Sequence, residues 1–122
     1  MHLESVVLNL FYFQLQLKIY HWQTFSSPRH LAAENLLEKL QEFTDNVVEF
    51  YQGRKAMRLH LKTESRIMLD NVVIRGEDYG EDLIKELCSE IEKMECKDQA
   101  IENKRQDFLG DVERTLYLFT LS

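Results

Sequence analysis

The chain has 122 residues, 44% apolar and 30% charged, with one proline and a formal net charge of -6. That suits a single domain, 1–122, with a core of its own, and excludes disordered and fibrous classes. An acidic balance with no Lys/Arg-rich arm at either end repels phosphate backbones, so direct nucleic-acid binding is disfavoured.

The opening stretch, "MHLESVVLNLFYFQLQLK", has no basic leader, and Asn9, Gln14 and Gln16 interrupt its apolar run. Neither a secretion signal nor a membrane span is expected from it. Leu3, Val6, Leu10, Phe13, Leu17, Tyr20 and Thr24 alternate steps of three and four, which predicts an amphipathic helix over about 2–25. A second helix is expected over 28–52, with Ser27 as N-cap, Pro28 in the first helical position and Gly53 just past the end. Two long helices joined by so short a link must pack antiparallel.

From Arg58 to Gly76 the helical stripe disappears. Leu59 and Leu61 alternate and a short β-rich run follows, so 58–76 reads as a partly extended crossover with a hairpin turn near Thr63 to Ser65. Helical spacing returns at Ile84, Leu87, Ile91 and Met94, predicting a helix over 80–95. It returns again at Ile101, Phe108, Val112, Thr115 and Phe119, predicting one over 98–120. Cys88 and Cys96 lie eight helical steps apart, about 12 Å of rise, and read as reduced thiols of a cytoplasmic protein. The fold class is all-α: a four-helix bundle with one long crossover between its second and third helices, the arrangement of ferritin-like folds.

Around the first connection stand His21, Trp22, His30 and Glu34. On the second helix Ala33, Leu36, Leu40, Phe43, Val47 and Tyr51 form the core stripe, leaving His30 and Glu34 at its edge and Asp45 and Glu49 on the flank. Each pair is spaced i, i+4, so its side chains project together and suit one ion. His30 and Asp45 are nevertheless about 22 Å apart along the axis, which one chain cannot close. Two copies crossing antiparallel near residues 39 and 40 can close it, giving two sites per dimer, with His21 leaning over His30. Two imidazoles and three carboxylates suit iron, manganese or zinc. An acidic pair on a helix flank is equally the pattern of a solvated face, and a His beside a Trp that of a half-buried structural residue. His2 and His60 have no carboxylate spacing around them.

These residues resemble the Dps-type mini-ferritins. There, a His-Trp ends the first helix, a His and an acid four later open the second, and an Asp and a Glu follow eleven and fifteen residues after that acid. Here the counterparts are His21-Trp22, His30, Glu34, Asp45 and Glu49, within a likeness spanning about Leu15 to Gly53. "KIYHWQT", "EFYQG" and "TLYLFTL" are also similar to a small uncharacterised ferritin-like family associated with phages and large viruses. The resemblance implies an intersubunit ferroxidase centre that oxidises Fe(II) with peroxide or oxygen, Trp22 packing beside His21, and a location in cytoplasm, host cytoplasm or virion. The link from His21 to His30 is about three residues shorter than in Dps, Glu34 stands where Asp is usual, and the crossover does not read as the short helix found there. The ligand pattern of a di-iron centre inside one bundle, Glu-x-x-His on two helices, does not occur. Two other readings stand beside the ferroxidase: a non-enzymatic structural or virion-associated bundle with a structural or vestigial metal site, and a helical adaptor for a protein partner.

Overall fold

The computed structural model describes residues 2–94 and 96–121. Five helices follow in order: α1 (Leu3–Gln23), α2 (Ser27–Lys55), α3 (Val72–Arg75), α4 (Tyr79–Lys93) and α5 (Gln99–Thr120). The protein is all-helical among the described residues, and none of its helices is long and apolar enough to cross a membrane.

Pro28 ends α1 from a distance. Its ring would strike the carbonyl four residues back and it offers no N–H, so a continuous helix is impossible there. The chain turns through extended Thr24 and Ser26 instead, and the Ser26 hydroxyl accepts the Arg29 amide at 3.3 Å. The cap is thus Ser26, one residue before the Ser27 expected from sequence.

At its far end α2 runs past the expected stop at Gly53 and terminates with Ala56 in the left-handed region (φ 50°, ψ 44°). Arg54 and Lys55 supply the reason. Arg54 reaches Asp98 at 3.0 Å and lies 4.7 Å from the Phe50 ring, while Lys55 lies 5.7 Å from the Tyr51 ring. Two cations in the last turn also complement the helix dipole. These contacts offset the roughly 1 kcal/mol that an interior glycine costs.

Each of the four long helices packs on two neighbours, in the cyclic order α1, α2, α5, α4. All neighbours are antiparallel: the start of α2 meets the end of α5 at Arg29 and Phe119, and the end of α1 meets the start of α4 at Tyr20 and Gly80. Helices α2 and α4 therefore run parallel across the diagonal, which only a long crossover between them allows. Most of the stripes read from periodicity lie in the core, although Leu3, Val6, Thr24, Tyr51 and Met94 are only half-buried, and Val7, Leu37, Tyr79 and Leu83 are buried without belonging to those stripes. Leu10, Phe13, Leu17, Tyr20, Ala33, Leu36, Leu40, Phe43, Val47, Ile84, Leu87, Ile91, Phe108, Val112 and Phe119 are all buried, with Phe43 stacked on Phe108 at 4.9 Å.

The crossover departs most from expectation. No strand occurs among the described residues, although the chain does turn where the Ser65 amide meets the Lys62 carbonyl at 3.1 Å. One turn of helix, α3, falls inside the segment read as extended. Helix side chains take some of the crossover's backbone polar groups instead: Gln52 of α2 accepts the Leu59 amide at 2.9 Å, and α1 holds Asp70 and Val72. Gln16, fully buried, accepts the Asp70 amide at 2.6 Å and donates to the Asp70 carbonyl at 3.2 Å and the Tyr79 hydroxyl at 2.7 Å. Gln23 accepts the Val72 amide and donates to Asn71, both at 2.8 Å. Leu59, Leu61 and Ile67 are half-buried, whereas Met68, Leu69, Val73 and Ile74 face outward.

Helix α4 can approach α1 this closely only at Gly80. A Cβ there would lie 2.6 Å from Cε2 and Oη of Tyr20. Gly80→Ala is therefore expected to destabilise the fold: overpacking strain of about 1–3 kcal/mol outweighs the roughly 1 kcal/mol gain in helix propensity. A urea midpoint at or above that of the parent would contradict this close approach.

Candidate metal site at the first connection

The turn at residues 24–26 places the last turn of α1 against the first turn of α2, and the two histidines meet there. The His21 and His30 rings stack with centroids 3.7 Å apart and planes 19° from parallel. Each ring bonds the other residue's backbone: His21 Nδ1 to the His30 carbonyl at 2.9 Å, His30 Nδ1 to the His21 carbonyl at 2.6 Å. A carbonyl only accepts, so both Nδ1 atoms carry the hydrogen. In the neutral ring this leaves the lone pair on Nε2, the atom that ligates a metal when Nδ1–H is held by a carbonyl. Among the described residues neither Nε2 has a hydrogen-bond partner; His21 is buried, 7% exposed, and His30 half-buried.

The carboxylates are arranged differently. Glu34 is half-buried, one turn beyond His30, and faces a shallow groove of about 310 Å³ between α1 and α2, shared with Gln14, Lys18 and Glu38. Asp45 and Glu49 are exposed, farther along α2. No carboxylate of the same chain joins both histidines within 4.8 Å among the described residues. Trp22 is 67% exposed, with the Lys18 ammonium 5.8 Å from its ring. One chain thus brings together the two imidazoles and leaves the acids outward.

Behind the histidines lies a polar cluster that the sequence reading passed over. Buried Arg29 donates to the Tyr20 hydroxyl (3.3 Å), the Glu77 carbonyl (3.2 Å), Glu81 (2.8 Å) and the Phe119 carbonyl (3.0 Å). The Glu77 carboxylate accepts from the Tyr20 hydroxyl at 3.0 Å, the Thr24 hydroxyl at 2.8 Å and the Phe25 amide at 2.6 Å. Burial works against its charged form, but these three donors and the Arg29 charge outweigh it and hold Glu77 below the usual carboxylate range. Two signals were available. Arg29 is a cation in a helix's first turn, where the dipole disfavours it, and Gln16 is a polar residue between Phe13 and Tyr20 on the apolar face.

A second group appears across α4 and α5, where Cys88, Glu92 and Glu113 bring ligand atoms within 4.8 Å of one another. The Cys88 thiol donates to Glu92 at 3.3 Å. Burial, with Glu92 and Glu113 adding to it, pushes that thiol up to about 11, so it holds its proton at neutral pH and acts as a donor between two acids.

The chain matches no protein-family model, and comparison with curated proteins and with solved structures finds no significant match.

Proposed function

We propose that the protein is a ferritin-like, Dps-type iron-binding protein whose oxidation site is completed by a second copy of the chain. The observation that carries this reading is the histidine pair, two stacked rings held in the Nδ1–H form, which leaves both Nε2 lone pairs without a hydrogen-bond partner among the described residues. The bundle supports it: all neighbours antiparallel and one long crossover joining the two parallel helices, the ferritin-like connection. So does the outward position of Asp45 and Glu49 one helical turn apart, where another subunit can reach them.

In the proposed dimer two α2 helices cross antiparallel. His21, His30 and Glu34 of one chain then face Asp45 of the partner subunit and Glu49 of the partner subunit. Iron enters as substrate. Each Fe(II) gives up one electron, so one hydrogen peroxide takes up two electrons and two protons and leaves as two waters. Dioxygen serves as oxidant in the same way with four electrons and four protons. The carboxylates favour the more highly charged product, Fe(III), over Fe(II), which lowers the barrier to electron loss.

The test combines solution mass, metal content and oxidation rate. A dimer or larger assembly at micromolar concentration is expected, with Fe(II) oxidised faster than in buffer. Asp45→Asn keeps the side chain's shape and removes its charge, and is expected to weaken Fe(II) binding about tenfold or more. Glu86→Gln, on exposed α4 surface, is expected to change neither binding nor rate. A monomer, or identical behaviour of the two variants, would sink the shared site; the non-enzymatic bundle would then be the better reading.

A further inference from the structure

We propose that Glu77, at the end of the crossover, is the positioning residue for the His21–His30 pair, fixing the turn between α1 and α2 at the spacing where each ring reaches the other's carbonyl. The three donors it gathers all belong to that turn or its approach. Tyr20 precedes His21, Thr24 caps the C-terminus of α1, and Phe25 precedes the Ser26 cap of α2. The Phe25 amide needs such an acceptor, since it lies beyond the last residue of α1 and before the first of α2.

A carboxylate fits this place better than a neutral group. It accepts all three bonds with two oxygens, lies at the approach to the N-terminal ends of α2 and α4, where helix dipoles favour an anion, and has Arg29 alongside. An amide can keep its oxygen on the Phe25 amide only by turning its NH₂ to the two hydroxyls, which must then accept, Tyr20 while already accepting from Arg29. The turn is then held by neutral bonds in place of charge-assisted ones, and more loosely. The reciprocal bonds tie each ring to the backbone of the other helix, so a movement that separates α1 from α2 lengthens both.

This inference takes its functional meaning from the reading of His21 and His30 as metal ligands, so its test has a readout that needs no metal. Nitrogen-15 NMR distinguishes the two neutral imidazole tautomers. At a pH where the spectra show both rings neutral, both rings of the parent protein are expected in the Nδ1–H form. In Glu77→Gln they are expected to exchange between both forms, with the helical circular dichroism retained. Glu81→Gln removes the other carboxylate facing Arg29 and is expected to leave the tautomers unchanged. Cobalt(II), as probe, is expected to bind Glu77→Gln about tenfold more weakly than the parent.

Should Glu77→Gln fail to fold, Thr24→Val removes one donor to Glu77, together with the acceptor of the Ser26 amide at 3.2 Å, without altering any charge, and is expected to give the same tautomer change to a smaller degree. Unchanged tautomers in the folded Glu77 variant, or in Thr24→Val when that variant does not fold, overturn the proposal. Altered tautomers in a protein whose parent form binds no cobalt support the positioning role and sink the metal reading, so the two fail separately.

Discussion

Replacing Arg29 by leucine is expected to destabilise the protein by about 3 kcal/mol, toward the lower end of what breaking a buried ion pair costs. The guanidinium joins four segments at one end of the bundle through the hydroxyl of Tyr20, the carbonyls of Glu77 and Phe119, and the Glu81 carboxylate. It also lies 4.9 Å from the Phe119 ring. Leucine restores some of the packing and none of the donors. The Phe119 carbonyl, in the last turn of α5, loses the guanidinium and keeps the Leu121 amide, which limits that part of the cost. Glu81 keeps 30% of its side chain exposed and recovers water when its partner goes, which holds the cost near the lower end. Lysine is expected to rescue poorly, because one ammonium cannot span acceptors presented from four directions. With urea slopes of about 1–3 kcal/mol per molar, the leucine variant should unfold about 1–3 M earlier. A midpoint within about 0.3 M of the parent, on the same slope scale, would mean the cluster contributes little.

The same cluster shows why part of this molecule is readable in the sequence and part is not. Leu36, Leu40, Phe43 and Val47 recur at helical spacing, and a periodic signal survives without knowledge of any partner; all four are buried. The boundaries of α2 were less legible because Gly53 and Ser27 are each good terminators in isolation. What overrides them is remote or local detail: the Asp98 carboxylate for Arg54, and the Ser26 hydroxyl already in place on the Arg29 amide. Helix α3 is a single turn of four residues and cannot display a period of 3.6. Gln16, Arg29 and Glu77 are the hardest case. Their partners lie as far as 63, 90 and 57 residues away in the chain, so the local oddity of Gln16 and Arg29 does not say what each one binds, and nothing local marks Glu77 at all.

The candidate site divides along the same line. The approach of His21 to His30 follows from a short connection between two antiparallel helices and was foreseen; the reciprocal backbone bonds depend on atomic detail and were not. The i, i+4 spacing of Asp45 and Glu49 puts them on one outward face. Spacing alone does not distinguish an interface from a solvated flank, and for that reason the decisive experiments concern a second chain.

Gln16→Leu is the other substitution expected to have a large effect, about 2–4 kcal/mol. Leucine nearly conserves the volume, and its neighbours Phe13, Leu17 and Tyr20 are apolar or aromatic, so packing loss is minor. The cost comes from the Asp70 amide and carbonyl, which lose their partner on α1, at about 1–3 kcal/mol for each buried group left unsatisfied. Asp70 is only half-buried, and water reaching it is what keeps the total from the sum of the maxima. Location of the damage is the sharper readout. The Asp70 amide is expected to pass from protected to fast hydrogen exchange, whereas the Val72 amide, held separately by Gln23 at 2.8 Å, is expected to stay protected until Gln23 is replaced as well. Equal protection of Asp70 in parent and variant would show that the crossover is held by its half-buried Leu59, Leu61 and Ile67 rather than by the two glutamines. Loss of protection along the whole segment in the single variant would show instead that the crossover opens as one cooperative unit, with Gln16 its sole anchor.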